Sequence, residues 1–309
     1  MLEAPGELTA SLPVTAVFGA TGFIGRHLLA ELLRCRPETV GFVRSEGNEL
    51  LSLDLSRPNI TTVGLKQLGI THAVIAMAVS GIAACERDPA ATRKVNVEGT
   101  VELARQLCQE GIKVVALSSD YVFDGIRGNY DETSPVGALN EYGRQKVEME
   151  VGLAEVCSAN VLILRLSKVF NLTRGSGTLL DEMAGRLIRG EQLSAAWDQF
   201  FCPTLVDDVV KVIRYLLTTD ASGLMHLCAP TRTSRIDLAR SIVSVFNLKS
   251  NLVNSISLRN LQENFVRPLD TSMVCPRLAS YIRYDFKDVR ECIEELKSNY
   301  CLDGHGKTD

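Results

Sequence analysis

The feature that most constrains this chain is a glycine-punctuated turn near its start. Val14-Thr15-Ala16-Val17-Phe18 is a short, mostly apolar run, and Gly19-Ala20-Thr21-Gly22-Phe23-Ile24-Gly25 follows it without a break. Residues 24–33 then carry apolar side chains at helical spacing. Strand, glycine turn and helix in that order are the parts of a phosphate-binding unit. Gly19 permits the tight turn, Gly22 lets backbone approach a pyrophosphate, and Gly25 lets the helix pack closely on the strand. The helix N-terminus then offers its unpaired N–H groups to the phosphates. The competing reading is a purely structural turn.

The chain beyond the turn repeats the alternation. Apolar strands are expected over 39–43, 73–77, 113–117 and 161–166, with helices over 93–109 and 142–156 between them. In the first of those helices Val97, Val101, Leu103, Ala104 and Leu107 share the apolar side. Strands buried on both faces read as continuous apolar runs, so the expected class is α/β, a Rossmann-type doubly wound parallel sheet. After residue 170 the order loosens. Helices are expected over 179–189, 207–218, 235–246 and 285–298, the third capped by Thr233 or Ser234, with short strands over 223–228 and 252–257. The division is therefore a flexible N-terminus over 1–13 and an NAD(P)-binding domain over 14–170. A smaller mixed α/β part over 171–302, mainly substrate-binding, returns some strands and helices to the core, and 303–309 form a loose tail.

Composition excludes several classes. The 309 residues suffice for two modest domains, and 33 Lys plus Arg against 37 Asp plus Glu give a net charge of −4. With no basic run, neither nucleic-acid nor anionic-membrane binding is expected. The nine cysteines are odd in number, widely spaced and without C-x-x-C, and the four histidines are scattered. No disulfide scaffold and no metal site are expected. Residues 1–13 lack a basic segment followed by an apolar core, and no apolar stretch is long enough for a span, so the expected location is cytoplasmic.

The next residues bear on cofactor and chemistry. Arg44 stands at the end of the second strand, about where an acidic residue would hold both ribose hydroxyls of NAD. An arginine fork suits a 2′-phosphate instead, so NADP(H) is preferred, with NAD(H) as the lesser alternative, unless Arg44 is only a solvated residue. Asp54 and Leu55 are placed to cap the adenine, or Asp54 is a turn aspartate. Tyr142 and Lys146 form the only Tyr-x-x-x-Lys of the chain, and i and i+4 share a helix face. A lysine ammonium there lowers the phenol pKa and holds a ribose. Ser119 ends the fourth strand, where ligands sit in such sheets, unless its hydroxyl satisfies local backbone.

Together the glycine turn, the strand-end serine and the Tyr-x-x-x-Lys resemble the extended short-chain dehydrogenase/reductases. Ser118-Ser119-Asp120-Tyr121-Val122-Phe123-Asp124-Gly125 looks like the S-[ST]-D-Y-V-F-D-G signature of the dTDP-4-dehydrorhamnose reductase branch. Residues 135–146, Asn96-Val97-Glu98-Gly99-Thr100, Asp198-Gln199 with Pro203-Thr204, and Arg267-Pro268 are similar to further motifs of that branch. The likeness runs over about 14–298.

The resemblance implies reduction of the keto group of a nucleotide-activated 4-keto-6-deoxy sugar, with hydride from nicotinamide C4. It makes Ser119 the group that orients the keto oxygen, Tyr142 the general acid, and Lys146 the residue that tunes Tyr142 and binds the ribose. Asn96 would support a water path behind Lys146. The implied cofactor contacts are Gly19, Thr21, Gly22, Phe23, Ile24, Gly25, Arg44, Asp54, Leu55, Ala76, Met77, Ala78, Asn96, Tyr142 and Lys146. The implied substrate contacts are Ser80, Ser119, Asp120, Tyr121, Val122, Phe123, Lys168, Asn171 and Arg267, the last for the diphosphate unless it is a surface residue before a proline turn. A homodimer is common in the superfamily, but no interface signature is visible.

Two departures narrow the reading. Asp120 is followed by Tyr121 rather than by the glutamate of a dehydratase, so reduction is favoured over elimination of water. Lys168 and Asn171 replace the branch's usual tryptophan and glycine. A cation at 168 suits a nucleotide diphosphate or an acidic sugar, or else pairs with a nearby carboxylate. Two alternatives stay open. One is a non-catalytic NADP-binding regulatory subunit resembling the beta subunit of methionine adenosyltransferase. The other is a sugar-nucleotide epimerase, for which Cys202 is the candidate proton-transfer residue.

Overall fold

The computed structural model describes residues 2–3, 12–44, 50–61, 63–260 and 264–302. The expected loose tail over 303–309 and most of the segment 1–13 lie outside the described residues. Leu2–Glu3 pair antiparallel with Arg283–Tyr284.

Seven strands make one sheet: β1 (Thr15–Phe18), β2 (Val40–Val43), β3 (Leu51–Ser52), β4 (His72–Ile75), β5 (Lys113–Ser119), β6 (Val161–Leu166) and β7 (Gly223–Leu227). Their order across the sheet is β7-β6-β5-β4-β1-β2-β3, and every neighbouring pair is parallel. The chain runs outward from β1 through β2 and β3, then returns to lay β4 on the other side of β1. That reversal opens a crevice between β1 and β4 at their carboxyl ends, where doubly wound sheets bind ligands.

Among the described residues, seven helices of ten or more residues pack around the sheet and the C-terminal part: α1 (Phe23–Cys35), α2 (Thr100–Gln109), α3 (Glu141–Cys157), α4 (Leu179–Ile188), α5 (Val206–Leu216), α6 (Arg235–Phe246) and α7 (Val289–Leu302). Strand side chains alternate between faces. Phe18, Phe42 and Ile163 therefore pack with Leu103 and Leu107 of α2 and Met149 and Leu153 of α3. Val17, Val74 and Leu164 meet Leu28 and Leu32 of α1 and Val209 and Ile213 of α5 on the other face. A third apolar cluster joins Leu180, Ile242 and Ile293 from α4, α6 and α7. It covers the parallel pair Leu193–Ala196 and Val253–Ile256.

The single helix expected over 93–109 is broken. Pro89–Arg93 is α-helical, Lys94–Gly99 is a π-helical turn, and α2 begins only at Thr100. Two fixed pieces of backbone meet the wide turn. Asn96 Oδ1 accepts from Val79 N at 2.7 Å, while its Nδ2 donates to Val79 O at 3.0 Å. A Cβ on Gly99 would stand 1.6 Å from the Leu55 carbonyl oxygen. Periodicity does not reveal such a bulge, because the apolar spacing on either side of it is intact.

Candidate active site

A cleft of about 720 Å³ opens over the carboxyl ends of β1, β4, β5 and β6. The backbone shapes its floor. Gly19 has φ of +94°, and a Cβ there would lie 2.9 Å from the Met77 nitrogen. A Cβ on Gly25 would fall 2.0 Å from the Gly19 carbonyl oxygen. The turn is thus wound as tightly as a helix N-terminus facing phosphate requires, and Gly22, Phe23 and Ile24 line the cleft beside Ala76, Met77 and Ala78 from the end of β4. These residues fit a dinucleotide.

Ser119, Tyr142 and Lys146 come together on one wall. Ser119 ends β5, and Tyr142 and Lys146 lie on the first turns of α3. Asn140 caps that helix, its Oδ1 accepting from Gly143 N at 3.0 Å. Gly143 is needed because a Cβ would stand 2.2 Å from the Tyr121 carbonyl oxygen, so the helix docks directly on the segment after β5. Lys146 Nζ donates to Leu117 O at 2.8 Å and sits 6.0 Å from the centre of the Tyr142 ring. Burial pushes the lysine down to about 8, and the Glu150 charge one turn below opposes the fall. The Tyr142 phenol was expected to be lowered by Lys146. It lies instead well above the ordinary tyrosine value, because burial outweighs its hydrogen bond with Ser119 and the Asp120 charge adds to the rise. Such a phenol holds its proton at neutral pH.

Beside Ser119 lies a buried carboxylate. Asp120 Oδ2 accepts from Thr271 Oγ1 at 2.8 Å and Ser167 Oγ at 3.1 Å, and Oδ1 accepts from Ser119 Oγ at 3.2 Å. Burial raises Asp120 to about 6 against these bonds. Cations gather nearby. Lys168, Arg235 and Arg267 line the same cleft, and Arg267 Nη1 reaches Tyr121 Oη at 3.5 Å. Burial lowers Lys168 first, and the positive charge of Arg235 lowers it further.

The remaining expected residues divide between the cleft and the core or surface. Ser80, Asp120 and Tyr121 line the cleft, whereas Val122 and Phe123 are fully buried in a separate apolar cluster with Tyr130 and Met273. Their motif is near the site, but the short 3-10 turn over Asp120–Val122 directs them into the core. Leu55 is a core residue, and Asn171 is buried with its Oδ1 accepting from Thr173 N at 3.3 Å. Asn96 does not line the cleft and instead fixes Val79, so it positions the segment after β4. Thr21 is exposed on the glycine turn. Arg44 is exposed at the end of β2, and Asp54 follows β3. Bonds from Ser56 hold the Asp54 carboxyl below its usual value, with Arg44 contributing a smaller attraction. Asp54 thus has the geometry of a turn aspartate, Ser56 N and Oγ both donating to it at 2.9 Å.

Gln199, Phe201, Arg235, Phe265 and Thr271 line the cleft without having been expected there. They come from separated C-terminal segments, and only the motif around Asp198-Gln199 pointed toward one of them. Among the described residues no group of acidic, histidine and cysteine side chains could hold a metal ion, and no helix is long and apolar enough to cross a membrane.

Comparison with known proteins follows the same lines. A family profile described as the RmlD substrate binding domain matches residues 15–301. A dTDP-4-dehydrorhamnose reductase of Burkholderia thailandensis is 30% identical over 238 residues, covering 74% of this chain and 76% of that one. Methionine adenosyltransferase 2 subunit beta of Bos taurus is 26% identical over 285 residues, covering 85% and 80%. Among solved structures, dTDP-4-dehydrorhamnose reductase from Bacillus anthracis in complex with NADP superposes with a TM-score of 0.79 at 24% identity, covering 91% of this chain and 97% of that one.

Proposed function

We propose, from the premise that this chain belongs to the RmlD substrate binding domain family and is an extended short-chain dehydrogenase/reductase, that it reduces the ring ketone of a nucleotide-activated 4-keto-6-deoxy sugar. It is an NAD(P)H-dependent oxidoreductase with NADP(H) as the preferred cofactor. Arg44 supports that preference, and the Bacillus anthracis relative is itself complexed with NADP. The observation that carries the reading is the meeting of Ser119, Tyr142 and Lys146 on the cleft wall beside the glycine turn.

When bound, the reduced nicotinamide supplies the hydride. Ser119 Oγ turns its one proton from Asp120 to the keto oxygen and fixes its place. Tyr142 keeps its proton until negative charge grows on that oxygen, then releases it there. Lys146, held by the Leu117 carbonyl, lends its positive charge to the phenolate left behind. Lys168, Arg235 and Arg267 give the cleft the cationic character that a nucleotide diphosphate needs.

The test is loss of NADPH absorbance with dTDP-4-keto-6-deoxyglucose made in situ. Tyr142→Phe should cut turnover roughly 10²- to 10⁴-fold while NADPH still binds. Turnover that survives the substitution would refute the mechanism. The similarity to the methionine adenosyltransferase subunit favours a second reading, a binding subunit. NADPH binding without turnover on any nucleotide sugar would support it.

A further inference from the structure

Among the described residues, Asp120 is the single carboxylate that lines the cleft. The hydroxyl of Ser119 links it to Tyr142. Ser119 Oγ donates to Asp120 Oδ1 at 3.2 Å and shares a hydrogen bond with the Tyr142 phenol. The other oxygen, Oδ2, is held by Ser167 and Thr271. Phenol, hydroxyl and carboxyl thus form an unbroken chain of groups, each able to hold or pass a proton.

Reduction of a ketone by NADPH consumes one proton, so a tyrosine that supplies it has to be recharged once per turnover. The resemblance implied a water path behind Lys146, supported by Asn96. Asn96 instead gives its amide protons to protein, to Val79 O at 3.0 Å and Gln145 Oε1 at 2.8 Å. Lys146 Nζ donates to Leu117 O and to Met149 Sδ. Asp120 and Ser119 offer another way in, from the cleft. Lys168, after β6, favours the Asp120 carboxylate. Tyr121, Tyr142 on α3 and Cys202 after the strand Phe200–Phe201 are groups whose anions that carboxylate opposes. The opposition is mutual, so a phenolate at Tyr142 draws a proton onto Asp120. A carboxylic acid is a far stronger acid than a buried phenol, and transfer onward to the phenolate is downhill.

We propose that Asp120 takes a solvent proton from the cleft and returns it to Tyr142 through Ser119 after each turnover. The step balances. Ser119 gives its proton to the phenolate oxygen and accepts the proton of the Asp120 carboxyl, leaving phenol, hydroxyl and carboxylate. No net charge is created, and the hydrogen bonds of the chain reverse direction. Asp120 acts through Ser119 and is therefore a positioning residue. This rests on the function proposed above, but needs from it only that Tyr142 loses a proton in each turnover.

The experiment follows NADPH absorbance by stopped flow, with NADPH and dTDP-4-keto-6-deoxyglucose in several-fold excess over the full chain. Asp120→Asn should keep the first turnover within about threefold of the unsubstituted protein, because Tyr142 enters it protonated, and slow the later ones roughly tenfold or more. In Asp120→Ala, formate should restore the later turnovers in proportion to its concentration, and chloride should not. An NADPH affinity close to that of the unsubstituted protein shows that both variants fold. Later turnovers unslowed in Asp120→Asn overturn the proposal and leave Tyr142 to recharge directly from water. An equal slowing of first and later turnovers, or formate without effect, also overturns it and makes Asp120 a support for Ser119. In these cases the unsubstituted protein still oxidises NADPH, so the reductase reading stands. If it oxidises none with any keto sugar, both readings fall together.

Discussion

The ion pair beneath the active site gives the sharpest test of how this fold is held. Arg165, on β6, donates from Nε to Glu150 Oε1 at 2.9 Å and from Nη2 to Oε2 at 2.6 Å. Ser118 Oγ donates to the same Oε1 at 2.5 Å. The two charged side chains are 4% and 10% exposed, so solvent screens them little. A forked pair at this distance attracts by about 4 kcal/mol at an effective dielectric near 20, and burial of the two ions takes back a comparable amount. The intact pair is therefore worth little net, but breaking it is expensive.

Arg165→Met leaves the Glu150 carboxylate inside the protein with Ser118 Oγ as its remaining side-chain hydrogen-bond partner and Lys146 as a neighbouring charge that does not bond it. Lys146 does not replace the lost charge, because its ammonium is held by the Leu117 carbonyl. Urea unfolding at neutral pH should show a loss of about 3–5 kcal/mol with an unchanged slope. Adding Glu150→Gln to that variant removes the stranded charge and should restore about 2 kcal/mol or more, a coupling readable from the double-mutant cycle. The sign with pH follows. An unpaired buried carboxylate has its folded pKa raised, so the penalty is small where it is protonated and grows as pH rises. The deficit of Arg165→Met should therefore be larger at pH 8 than at pH 5. A loss below about 1 kcal/mol, or a double variant no more stable than the single one, would refute this account of the buried pair.

Two further outcomes follow from the site. Lys146, at about 8, is an ammonium below that pH and loses its charge above it, so turnover should fall as pH rises through about 8. Glu150 supports that charge, so Glu150→Gln should move the fall to lower pH; an unmoved profile would detach Lys146 from the alkaline limb. Arg44→Ala should raise the KM for NADPH roughly tenfold while leaving that for NADH nearly unchanged, because only NADPH carries the phosphate that an arginine fork grips. Equal effects on both cofactors would assign Arg44 to the surface.

The parts of this molecule that were legible in its sequence are those whose signal is local. Strand β6 over Val161–Leu166 and helix α6 over Arg235–Phe246 match their expected ranges residue for residue. A continuous apolar run fixes the first. Ser234 caps the second, its Oγ accepting from Asp237 N at 3.2 Å. Gly19 and Gly25 were legible because each answers a steric demand of its own turn. Val122 and Phe123 were misplaced for a related reason. A motif states that a segment passes near a site, while the direction of each side chain depends on the backbone turn after Asp120 and on Tyr130 and Met273, which are remote or apolar and carry no chemical signature.

The same limit explains Thr271 and Arg235. Asp120 became the centre of the site only because Ser167 arrives from the end of β6 and Thr271 from a segment 151 residues further along the chain. Nothing around Thr271 distinguishes it from any other loop threonine until the fold closes. The consequence is physical. The first half supplies Ser119 from a strand end and Tyr142 and Lys146 from a helix. The C-terminal half supplies Thr271, which steadies Asp120, and Arg235 and Arg267, two of the cations that line the cleft. The chemistry is therefore written in motifs a single sequence displays. On the proposed function, the choice of substrate rests on long-range contacts such as those of Asp120 with Ser167 and Thr271, and substitutions of these partners should alter which sugar is taken before they alter what is done to it.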